Sequence, residues 1–193
     1  MNSFNFEIID YILNMFVQTE ITPNPNSLKF LPGKKVSNIG IFEITDKNKT
    51  DNELVRNLLS VNGVEGILLA DDFISVNKSQ KIDWEEIKHI IISLINDFYS
   101  EGRDFVLDNK EEKDQSKFTD IENQIIKILD QKIRPAVARD GGDIKFKEFR
   151  NGVVKVKLQG SCSGCPSSTL TLKQGVQNLL KHYIKEVKDV EAI

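Results

Sequence analysis

The sequence predicts an α+β protein of two small domains joined by a polar linker, and three observations predict it. Apolar residues recur in short segments, some at strand spacing and some at helix spacing. The stretch 108–116 (DNKEEKDQS) has no apolar side chain, so it has nothing to bury and reads as a linker. Charge divides across that stretch. Residues 117–193 carry 14 Lys and Arg against 9 Asp and Glu, and residues 1–116 carry 12 against 20, within a net charge of −3. A chain of 193 residues has the length of one large or two small domains.

Residues 1–15 read as an N-terminal extension in which Phe4, Ile8, Ile9, Ile12 and Leu13 have the spacing of a short amphipathic helix. The first domain spans residues 16–107. Phe16 to Ile21 alternates as a strand does, Pro23-Asn24-Pro25-Asn26 is a turn, and Leu28 to Leu31 is a second strand. Asp51 is placed to cap a helix carrying Leu54, Val55, Leu58 and Leu59. Val64 to Ala70 and Phe73 to Val76 form a hairpin about Asp71-Asp72. Asp83 caps a longer helix whose apolar stripe is Ile87, Ile90, Ile91, Leu94, Ile95 and Phe98.

The second domain spans residues 117–193, with the order α-β-β-α-β. Phe118, Ile121, Ile125, Ile128, Leu129 and Ile133 follow helical spacing, and Pro135 should end or kink that helix. Gly141-Gly142 breaks the chain. Asp143 to Phe149 and Val153 to Leu158 flank Asn151-Gly152, a strong signal for a two-residue hairpin turn. Pro166 suits the first turn of a helix whose stripe is Leu172, Val176, Leu179, Leu180 and Tyr183. Glu186 to Ile193 supplies a last strand.

Several function classes are excluded at this level. No apolar run approaches the ~20 residues that span a bilayer, so no membrane is expected. Lys145, Lys147, Lys155 and Lys157 alternate along strands, as solvated faces do, with few aromatics between them; this argues against nucleic acid. No Lys or Arg precedes Lys29, so neither a secretory n-region nor an arginine-rich presequence is visible, and a cytosolic location is expected.

Chemistry concentrates in Gly160-Ser161-Cys162-Ser163-Gly164-Cys165-Pro166, which holds both cysteines of the chain. In a reducing compartment such a pair binds metal or does redox work. Two intervening residues let both sulfurs turn toward one point. Cys165 falls at or beside a helix N-cap, where partial positive charge favours thiolate, so two low-pKa thiolates on an exposed loop are expected. Gly160 and Gly164 allow backbone to approach a bulky inorganic ligand.

The spacing alone leaves three readings open: an iron–sulfur site, a thiol–disulfide active site and a structural zinc site. Thioredoxin-like pairs often have an aromatic before the first Cys and Pro inside; here Ser161 precedes, Ser-Gly intervenes and Pro166 follows. Structural zinc usually finds four ligands in one chain. His89 lies in the other domain, and His182 is ~25 Å down the helix at ~1.5 Å per residue. A second copy of the chain would complete a set of four thiolates across a two-fold axis. No catalytic base accompanies the pair, and no enzymatic activity is expected.

The C-terminal domain closely resembles the NifU-type C-terminal domain, also called the Nfu domain. The resemblance runs through Ile133-Arg134-Pro135, Asp140-Gly141-Gly142-Asp143, Val153 to Leu158, and Gly160 to Leu172 (GSCSGCPSSTLTL). Gln18 to Phe30 (QTEITPNPNSLKF) resembles the Nfu N-terminal domain. Together they cover about residues 16–193. The resemblance implies an iron–sulfur cluster scaffold or carrier in which Cys162 and Cys165 bind a [4Fe-4S] cluster shared across a homodimer. Two dithiolates also suit a [2Fe-2S] centre. Its partners would be apo iron–sulfur proteins as recipients and upstream cluster-assembly machinery. Asp140 to Asp143 reads as a tight turn, and Arg134 and Arg139 as solvated charges. Met15-Phe16-Val17 resembles a bacterial start of this family, which makes the bacterial cytoplasm the expected location.

Overall fold

The computed structural model describes residues 17–38, 40–102, 118–163 and 166–193. The expected extension at 1–15, the linker at 108–116, and Gly164 and Cys165 lie outside the described residues. The described residues form two compact units: 17–21 with 25–102, and 22–24 with 118–193. Both mix helix and strand, as the sequence predicts.

In the first unit, β1 (Gln18–Ile21), β2 (Ser27–Leu31), β3 (Phe42–Ile44), β4 (Val64–Leu69) and β5 (Ile74–Lys78) form an antiparallel sheet in the order β1-β2-β5-β4-β3. Alternation sends Leu28, Phe30, Ile67, Leu69, Ile74 and Val76 into one core. Leu54, Val55 and Leu58 of α1 (Glu53–Ser60) and Ile87, Ile91 and Ile95 of α2 (Trp84–Ser100) join it. Each such side chain contributes about 1.5–3 kcal/mol by leaving water. The α1 cap is Asn52, whose Oδ1 accepts from the Val55 N–H at 3.0 Å, and not Asp51. Asp83 and Glu86 form a reciprocal capping box at the start of α2. Ile90 is 40 % exposed, and Tyr99 is buried at the end of the stripe instead.

The second unit has the predicted order. Its first helix, α3 (Asp120–Ile128), opens with a capping box between Thr119 and Glu122. Pro135 neither ends nor sharply stops the helical path. It lacks an N–H and crowds the carbonyl four residues back. The ladder widens into one π turn over Leu129–Ile133, in which the Arg134 N–H donates to the Leu129 carbonyl, and the path resumes as α4 (Arg134–Arg139).

Next come β6 (Gly142–Arg150) and β7 (Val153–Gly160), paired antiparallel, then α5 (Pro166–Tyr183) and β8 (Asp189–Ala192), which pairs parallel to β7. Asn151 and Gly152 both have positive φ, 54° and 85°, as a primed two-residue turn requires. Ile144, Val154, Val156 and Leu158 pack with Ile125, Leu129, Val137, Val176 and Leu180. Tyr183 was expected in the α5 stripe but is 50 % exposed, with the Lys132 ammonium 5.3 Å from its ring centre. Among the described residues no helix is long and apolar enough to cross a membrane.

Candidate metal centre

The first cysteine is placed by the end of the β6–β7 ladder. Gly142 pairs with Gly160, so the chain entering β6 and the chain leaving β7 lie side by side. At Gly160, φ is +61°, a value that L side chains rarely adopt, and it turns the strand into the cysteine loop. Backbone bonds then hold the loop down. The Ser161 N–H donates to Gly141 O at 3.2 Å, the Cys162 N–H to Gln159 O at 3.3 Å, and the Ser163 N–H to Gly160 O at 3.0 Å. The Ser161 hydroxyl donates to Asp140 O, and the Ser163 hydroxyl to Gly160 O at 2.8 Å.

Gly142 leaves the room that Cys162 fills. A Cβ there would overlap the Cys162 Sγ and lie 3.0 Å from the Cys162 backbone nitrogen. A glycine pair in sequence signals either a positive φ or a close approach. Here Gly141 has φ +78°, and Gly142 makes the approach.

The expected exposed thiolate is corrected for Cys162. The residue is 7 % exposed, and its thiol is pushed up to about 11. Burial is the main cause, the charges of Asp140 and Asp143 add to it, and a hydrogen bond with Ser161 opposes it. Desolvation outweighs any helix-terminus field here. Between its ordinary value of 9.0 and about 11, the folded thiol keeps a proton that the unfolded one has lost. Stability should therefore fall as pH rises through that window. Urea unfolding at pH 8 and pH 10.5 should show a larger loss for the native chain than for Cys162→Ser; parallel losses would rule this linkage out.

Arg134 and Asp143 also depart from expectation. Asp143 is 0 % exposed and receives a two-pronged grip from Arg134, Nε to Oδ1 at 2.8 Å and Nη2 to Oδ2 at 3.2 Å. Arg134 Nη1 also reaches Asp130 Oδ1 at 3.1 Å. The Asp143 hydrogen bond is the main cause that raises the Arg134 pKa. Arg134 is thus committed to carboxylates rather than solvated, whereas Arg139 is exposed. Asp140 and Gly141 form the expected turn, while Gly142 and Asp143 already open β6, and Asp143 is the buried end of this ion pair. In sequence Asn24 shows only as a turn residue. Its side-chain amide donates to Ser161 O at 3.1 Å and Ser163 O at 2.9 Å.

His89 and His182 are both exposed, on α2 and α5. Among the described residues no group of three or more His, Cys, Asp or Glu side chains could hold a metal ion. Cys162 offers a soft sulfur donor, which suits a thiolate-ligated centre.

Comparison with known proteins gives two family matches in chain order. Residues 17–102 match the family described as scaffold protein Nfu/NifU N terminal, and residues 125–191 match the NifU-like domain. A mitochondrial NifU-like protein 5 of Arabidopsis thaliana is 40 % identical over 198 residues, covering 98 % of this chain and 72 % of that one. A human mitochondrial NFU1 iron-sulfur cluster scaffold homolog is 42 % identical over 183 residues, covering 93 % of this chain and 72 % of its own. The solution structure of a NifU-like protein from Saccharomyces cerevisiae is 27 % identical with a TM-score of 0.45, covering 56 % of this chain and 92 % of that one.

These relatives overturn the expected location. They are named as mitochondrial proteins of plant and human, not as bacterial cytoplasmic ones. That expectation rested on the missing basic residues before Lys29 and on the likeness of Met15-Phe16-Val17 to a bacterial start, and where a given sequence starts says nothing about a leader. Two domain matches in order, and relatives at this identity over most of their length, make the chain a member of the Nfu family of NifU-like proteins.

Proposed function

We propose that this protein is an iron–sulfur cluster scaffold. Cys162 and Cys165 bind the cluster together with the same pair from a second copy, and the cluster passes from there to apo proteins. The observation that carries the reading is the thiol of Cys162 packed against Gly142 at the end of the β6–β7 ladder, within a family whose relatives are named for cluster scaffolding. Four thiolates around one centre favour a [4Fe-4S] cluster, and a [2Fe-2S] cluster has the same ligand demand. Upstream assembly machinery supplies the cluster, and apo iron–sulfur proteins receive it. The chain acts as a carrier rather than an enzyme.

Loading requires two changes at Cys162. The thiol loses its proton as sulfur bonds iron, so each cysteine that engages releases one proton. The sulfur must also come out of its buried seat. A ligand held this way returns to a protonated, buried state once the cluster leaves, which favours release over permanent retention. The thiol–disulfide reading needs an exposed attacking thiolate, and the burial of Cys162, which raises its pKa, works against that role at this residue.

Anaerobic reconstitution with ferrous iron and sulfide tests the proposal. The expected product is brown, with about four irons and four sulfides per dimer, and Cys162→Ser or Cys165→Ser abolishes it. A colourless monomer with two titratable thiols would reject it.

A further inference from the structure

Asn24 lies far in sequence from the cysteine loop, with a separation of 137 residues from Ser161, yet belongs to the second unit by its contacts. It is 3 % exposed. Its own backbone is held in place: the Asn24 N–H donates to Thr22 Oγ1 at 3.2 Å, and the Thr22 hydroxyl donates to Asn24 O at 2.9 Å. The side-chain amide is therefore presented in a fixed direction. Both of its bonds go to the backbone on either side of one residue, Ser161 O at 3.1 Å and Ser163 O at 2.9 Å. The residue they bracket is Cys162.

An amide with two protons suits this geometry. An aspartate has the same shape and no proton to donate, and it would set carboxylate oxygens against two carbonyls. These bonds hold the backbone on both sides of Cys162 where its side chain packs against Gly142. We infer that Asn24 is a positioning residue of the cysteine loop: it holds Cys162 in its buried seat in the unloaded protein, and its grip must loosen for the sulfur to engage iron. The second half of this inference rests on the scaffold reading above; the first half does not.

The bland alternative is that Asn24 only satisfies two buried carbonyls and stabilises the unit. The two roles separate by which rate moves. The test is alkylation of the metal-free full chain with iodoacetamide under native conditions, reading Cys162 by peptide mass analysis. Asn24→Ala removes two hydrogen bonds and should speed Cys162 alkylation on the order of ten-fold at a temperature well below unfolding. Asn24→Asp should speed it further. Thr22→Val, which loosens the turn and keeps the amide, should give a smaller increase. Unchanged alkylation in folded Asn24→Ala and Asn24→Asp would overturn the inference, as would an increase no larger than their global unfolding rate explains.

If neither variant folds, the native chain still decides. The two Asn24 side-chain protons should exchange with solvent much more slowly than those of an exposed asparagine, and ordinary exchange would overturn the inference. None of these readouts needs a cluster, so they remain decisive if reconstitution fails. Where reconstitution succeeds, Asn24→Ala should load iron and sulfide faster than the native chain; equal loading rates would overturn the loosening step.

Discussion

Alanine in place of Gly142 is expected to push the Cys162 sulfur out of its seat and to speed its alkylation by iodoacetamide in the metal-free chain by more than ten-fold. The added methyl would occupy the space of the Cys162 sulfur and crowd the Cys162 backbone nitrogen at 3.0 Å. Backbone at that point cannot retreat easily, because the neighbouring Ser161 N–H is bonded to Gly141 O and the Cys162 N–H to Gln159 O. The overlap should also cost the second unit about 1–3 kcal/mol, the usual range for overpacking. Peptide mass analysis after alkylation, beside a urea unfolding curve, separates the two effects. Unchanged alkylation in a folded Gly142→Ala chain would show that Gly142 does not provide the Cys162 seat.

The ion pair of Arg134 and Asp143 should give the largest stability change. Arg134→Met leaves a fully buried carboxylate without its guanidinium, and Asp143→Leu leaves Arg134 with Asp130 alone. Removing one partner of a buried pair costs about 3–5 kcal/mol. Arg134 is about one-third exposed, so Asp143→Leu should fall below that range, and Arg134→Met should be the worse of the two. The double variant should cost clearly less than the two singles together, because neither charge is then left alone. Urea unfolding of all four chains tests this. Additive losses would mean that the two side chains do not depend on each other.

Local rules made part of this structure legible. The β6–β7 hairpin follows from Asn151-Gly152, because few other dipeptides tolerate two positive φ values in succession. The helix after Thr119 follows from its apolar periodicity, and the structure adds a capping box between Thr119 and Glu122. Pro135 was recognised as a disturbance, but a proline rule cannot say how the disturbance resolves. Here the path continues, and Val137 beyond the proline is buried in the core. β3 was invisible in sequence, since Phe42–Ile44 is three residues of intermediate burial with no alternation to read.

The site divides the same way. Motif spacing marked Cys162 and Cys165 as candidate ligands. The sign of the Cys162 shift depends on burial by residues from several elements, and a field at one helix end predicts the opposite direction. Asn24 had no local signature for its role, because its acceptors lie on the far side of the sequence. Gly141-Gly142 announced a special backbone, and only packing shows that the second glycine is there for a sulfur atom.

The parallel pairing of β8 with β7 orders the events of folding. The β6–β7 hairpin is local and closes on a timescale of about 1–10 μs. β8 cannot follow it directly, because a parallel partner must arrive by a crossover, and residues 161–188 with α5 form that crossover. The amides of Lys188 and Asp189 then dock on Gly152 O, so the finished hairpin turn supplies the anchor for the incoming strand. Until that moment the outer edge of β7, with Val154 and Val156, has unpaired backbone. An open edge of this kind is where one nascent chain pairs with another. The interval between hairpin closure and strand docking is therefore when this unit is most exposed to aggregation.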